Sequence, residues 1–135
     1  MNLTQAISAL VTVASGLSGI VRAYDDPPES ISEFPCAMVY AEAGILNAEG
    51  TNLGRGTHTI RIDLYASRTQ LPQAVNTSRG WPDALHSALA TNERLGGSAS
   101  IIEWPVRYQA VSMQYNNLTH YGMRFEVTVN LFGGV

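Results

Sequence analysis

The sequence predicts an α+β domain, a mostly antiparallel four-stranded sheet with two main helices packed on one face. Three observations carry that prediction. Apolar residues recur at three- and four-residue spacing near the N-terminus and again beyond residue 80. Strict two-residue alternation occupies the middle and the C-terminal end of the chain. The elements follow in the order helix, two strands, helix, two strands.

Taken in order, Ile7, Leu10, Val11 and Ala14 mark one face of a helix over residues 3–15, behind the capping candidates Asn2 and Thr4, and Gly16 and Gly19 end it. The run "FPCAMVYA", residues 34–41, reads as a strand, with Pro35 at its beginning where a missing N–H is tolerated. In "HTIRIDLYAS" the alternation is strict: His58, Ile60, Ile62, Leu64 and Ala66 face one way and Thr59, Arg61, Asp63 and Tyr65 the other, which describes a half-buried strand. Between these strands, residues 41–56 read as a long glycine-rich loop that carries Ile45 and Leu46. A short helix over 70–78 precedes a firmer one over 82–92, because Pro82 suits a first turn and disrupts an interior. Leu85, Ala88 and Leu89 mark its core stripe, and Gly96 with Gly97 stops it. The runs "SIIEWPVRYQAVSMQY" and "HYGMRFEVTVNLF" close the chain as two strands joined by "NNLT". In the last, Tyr121, Met123, Phe125, Val127, Val129 and Leu131 alternate with Arg124, Glu126, Thr128 and Asn130.

Composition narrows the function classes. At 135 residues and 45% hydrophobic content the chain suits one domain with a real core. Only 14% of residues are charged, against roughly 25% in ordinary soluble domains, which favours surface covered by assembly. All eight basic residues are Arg, a donor type favoured at interfaces, although genomic composition produces the same bias. A net charge of −3 without a basic block gives nucleic-acid binding no electrostatic drive, so direct nucleic-acid recognition is not expected. The single cysteine, Cys36, excludes an internal disulfide and reads as a small buried hydrophobe. Residues 1–5 lack the basic start of a signal peptide, and Thr4, Gln5, Ser8, Thr12, Gly16 and Gly19 interrupt any membrane-spanning run.

No motif announces chemistry. His58, His86 and His120 fall in different elements, without metal-ligand spacing. The acids Asp25, Asp26, Glu29 and Glu33 lack a calcium-loop pattern and read as a solvated turn. No nucleophile elbow, P-loop or dinucleotide fingerprint opens a helix. The chain is therefore not read as an enzyme, and no cofactor or metal is expected.

The stretch "YDDPPESISEFPCAMVY", residues 24–40, is stiff, because each proline fixes its own φ and restricts the residue before it. Two readings stand side by side: a rigid connector that delivers the chain to a strand, or an interface segment. In the second, Tyr24, Asp25, Asp26, Pro27 and Pro28 meet a neighbouring subunit, the acids pairing with Arg55 or Arg107. Ile45 and Leu46 divide the same way, between contact with another subunit and folding back over their own sheet.

The lead helix, this proline-marked segment, "RGTHTIRIDLYAS", a helix ending in "ATNERLGGSASI" and the closing "LTHYGMRFEVTVNLF" together resemble, over nearly the whole chain, the tail terminator proteins of long-tailed bacteriophages. The break at Arg79 to Pro82 is more abrupt than the continuous helix that family leads one to expect. The resemblance implies a single tail-terminator-like domain over 1–135 that forms a hexameric ring. Such a ring caps the tail tube protein and offers its other face to the head-completion, or neck, protein. It also implies synthesis in the host cytoplasm and residence at the tail–neck junction of the virion. A head–tail connector or head-closure component is the alternative, and a small-molecule-binding domain or enzyme stands further off.

Overall fold

The computed structural model describes residues 2–28, 31, 33–46, 54–67, 71–95, 100–115 and 118–132. Helix α1 (Leu3–Ser15) begins with a capping box: Asn2 Oδ1 accepts from the Gln5 N–H at 2.8 Å, and Gln5 Oε1 accepts from the Asn2 N–H at 2.9 Å. These bonds satisfy two donors that a helix start leaves orphaned. Its buried stripe is Ala6, Leu10 and Ala14, one residue round from the Ile7–Val11 pair, which is only half-buried. The helix stops at Gly16, and Gly19 takes a positive φ of 89° to turn the chain into β1 (Arg22–Tyr24).

Four further strands and two helices were anticipated in kind but not in extent. Strand β2 (Cys36–Leu46) starts directly behind Pro35 and β3 (Gly54–Ser67) pairs with it antiparallel, from Cys36↔Tyr65 to Leu46↔Gly56. Most of the supposed 41–56 loop is therefore hairpin arm, leaving 47–53 outside the described residues. Glycine permits the close pairing: Gly56 has φ of 149°, and a Cβ there would lie 2.5 Å from the Ile45 carbonyl oxygen. Helices α2 (Leu71–Ser78) and α3 (Trp81–Thr91) are separate, divided at Arg79 and Gly80, with Pro82 in the first turn of α3 where its missing N–H costs nothing. Helix α3 ends at Asn92, and the Gly96–Gly97 stop lies outside the described residues. Strands β4 (Ser100–Tyr115) and β5 (Leu118–Phe132) form the second hairpin.

The anticipated four-stranded sheet with two helices is thus corrected. Among the described residues the sheet has five strands in the order β1-β2-β3-β5-β4, and three helices accompany it. The added strand, β1, pairs parallel with β2 over Arg22↔Cys36 to Tyr24↔Met38. Three residues are too few to show an alternation, and only the partner strand makes them a strand.

Helices α1 and α3 share one face of the sheet. Leu10, Leu85 and Leu89 bury against Ile60, Ile62, Leu64, Val127, Val129 and Leu131, all essentially free of solvent. Each such side chain contributes about 1.5 to 3 kcal/mol by leaving water, which makes this cluster the main source of stability. The opposite face is not simply solvated. A second cluster of Ile31, Cys36, Met38 and Tyr65, joined by Phe34, Tyr40 and Tyr115, covers one end of it. Strand β3 is accordingly buried on both faces there, with Asp63 and Tyr65 at 1% and 3% exposure, in place of the half-buried strand the alternation implies.

Candidate assembly surface

The covered end of the second face is built around a buried ion pair. Register places Asp63 of β3 directly opposite Arg124 of β5. Arg124 donates from Nε to Asp63 Oδ1 at 2.9 Å and from Nη2 to Oδ2 at 3.2 Å, and Tyr40 of β2 donates its hydroxyl to Oδ2 at 2.9 Å. Burial first, and then the Asp63 charge, pushes the Tyr40 phenol up to about 12. The bonds to Asp63 hold the Arg124 guanidinium above its ordinary range. Toward the exposed end, Arg61 bridges Glu42 and Glu126, donating from Nη2 at 2.7 Å and 3.1 Å respectively. That bond holds the Glu42 carboxyl below its usual range. Three strands are thereby clamped in one register by charge-assisted bonds, which is structural work.

Among the described residues no group of three His, Cys, Asp or Glu side chains is placed to hold a metal ion. His120 is buried between the rings of Phe34, at 5.2 Å, and Tyr65, at 5.5 Å. Burial, reinforced by the Glu33 charge, pushes the Cys36 thiol up to about 12, so it carries almost no thiolate at neutral pH. Among the described residues no helix is long and apolar enough to cross a membrane.

The residues singled out as interface candidates are distributed as follows. Tyr24 ends β1, half-buried against the second cluster, with the Arg22 guanidinium 5.2 Å from its ring centre. Asp25, Asp26 and Pro27 are exposed and Pro28 is half-buried. Ile45 and Leu46 lie in the far end of β2 at 70% and 77% exposure. Arg55 lies in β3, its side chain outside the described ones, and Arg107 is exposed on β4. The acidic bend and Arg107 are not brought together within one copy, since β1 and β4 are opposite edges of the sheet. The segment 24–40 acts in part as the connector reading has it, because Ile31 and Phe34 fold over the second face.

Both sheet edges are open. Strand β1 covers β2 only as far as Met38, so among the described residues Val39–Leu46 has no outer neighbour, and β4 has none along its length. Open edges invite pairing with another chain. Pro105, inside the register shift between Glu103 and Arg107, is the sequence signal that β4 is an edge, since proline is excluded from central strands. Beside it the molecule has a groove of about 240 Å³ between α3 and β4, lined among others by Leu85, His86, Trp104, Val106 and Tyr108. Trp104 is 40% and Tyr108 55% exposed. Sequence reasoning passed over these residues, because α3 and β4 meet only through the tertiary fold. No protein-family model matches the chain, and no curated protein matches it either.

Proposed function

We propose that this protein is a self-assembling structural subunit, and that its assembly is a ring of the phage tail-terminator type, capping a tail tube and presenting a joining surface to a neck protein. The resemblance of the sequence supplies the second part. One observation supports the first: among the described residues, a single sheet with an open edge on each side, one of them carrying bare Ile45 and Leu46. Surface of that kind is stable in solution when another chain covers it. Two different edges joined head to tail give a heterologous contact, the type that closes into rings. The exposed acids Asp25 and Asp26 lie on the β1 side and are available to a neighbour's cation.

Light scattering on the purified protein, with negative-stain imaging, tests the reading. A six-fold ring is the expected result. Twelve-fold symmetry replaces the terminator with a connector, and a monomer at all concentrations overturns self-assembly.

A further inference from the structure

Resting on the self-assembly reading, the geometry points to which surfaces meet: the end of β2 in one copy docks on the β4 edge of the next copy, with Leu46 entering the groove beside Trp104 and Tyr108. Direction, shape and charge agree on a second copy as the occupant.

Direction comes first. The strands alternate from β2 through β3 and β5 to β4, every pair antiparallel, so β2 and β4 run in opposite senses. Copies arranged head to tail around an axis roughly along the strands therefore set β2 of one antiparallel to β4 of the next. Each edge offers unpaired backbone donors and acceptors to the other, save at Pro105, which has no N–H.

Shape follows from register. Leu46 pairs with Gly56, which pairs with Leu131, so Leu46 points to the helix-bearing face. Tyr108 pairs with Phe125 and belongs to that same face, where the groove opens. At about 240 Å³ the groove falls below the roughly 300–1,000 Å³ of small-ligand sites. It suits an aliphatic side chain better than a metabolite.

Charge completes the match. Arg107 is exposed and has no ion-pair partner among the described residues. With Leu46 beside Trp104, the antiparallel run sets Ala43 opposite Arg107, three residues along each strand, with Glu42 next to it at the β2 register shift between Ala41 and Ala43. Glu42 and Arg107 both belong to the charged face, since Glu42 and Glu126 share Arg61, and Arg107 pairs in register with Glu126.

The test uses the full chain. Leu46→Asp and Trp104→Asp, each confirmed as folded by circular dichroism, should each weaken self-association about ten- to a hundredfold, the worth of one buried apolar side chain. A variant carrying both Leu46→Cys and Trp104→Cys should give a ladder of disulfide-linked multimers under mild oxidation, because every copy then links forward and backward. Leu46→Cys alone or Trp104→Cys alone should give none beyond a dimer, since the native Cys36 is buried. If the wild type assembles while both aspartate variants assemble equally well, or the paired-cysteine variant gives no ladder, this docking mode is wrong and self-assembly proceeds through other surfaces. If the wild type is monomeric, the self-assembly reading itself fails.

Discussion

Replacing Arg124 with Met removes a cation while keeping most of the stem that packs on the sheet. Alternation alone puts Arg124 on the outer face of β5, where truncation would be mild. Its partner changes that expectation: Asp63 is 1% exposed and depends on two bonds from Arg124 and one from Tyr40. Breaking a fully buried pair from one side costs about 3 to 5 kcal/mol. Here the Arg124 side chain is 33% exposed, water reaches part of the site and Tyr40 stays, so about 2 to 3 kcal/mol is the reasoned value. Urea denaturation followed by circular dichroism, at fixed protein concentration so that association does not shift the midpoint, measures it. The double variant Asp63→Leu with Arg124→Met should recover much of the loss, since no charge is then left buried. A cost below about 0.5 kcal/mol for Arg124→Met, the ordinary range of surface substitutions, or a double variant less stable than the single, would refute the buried-pair argument.

Two further predictions use the same assay. Phe125→Ala should cost about 3 to 5 kcal/mol through lost burial and a cavity in the main core, since Phe125 is 2% exposed and its ring lies tilted at 5.6 Å from that of Tyr108; Thr128→Ala, on the other face, should stay within about 0.5 kcal/mol, and equal costs would undo the facing of β5. Stability should also fall in alkali. Cys36 and Tyr40 are raised from ordinary values of 9.0 and 10.0 to about 12, so the unfolded chain releases these protons first. The stabilisation is complete below pH 9 and is lost as pH climbs toward 12. A urea midpoint unchanged between pH 8 and pH 11 would contradict this, and Cys36→Ala should remove the earliest part of the decline.

What the sequence determined by itself was local. The spacing of Leu85 and Leu89 places a helix, and the alternation from Tyr121 to Leu131 assigns both faces of β5, because period follows directly from backbone geometry. The cap at Asn2 and the break before Pro82 are equally local, depending on residues within one turn. Pairing is not local. Residues 22–24 become a strand only beside Cys36–Met38, and Ile45 and Leu46 leave the loop for β2 only because β3 extends to Gly54 alongside them. The Asp63–Arg124 pair joins residues 61 apart in sequence, and the groove needs α3 and β4 in contact. Which strands stand at the edges, and hence where another copy can dock, is decided by strand order. That order sets which apolar strand residues, Ile60, Val127 and Val129 among them, bury under α1 and α3, an energy summed over residues that no short window of sequence contains.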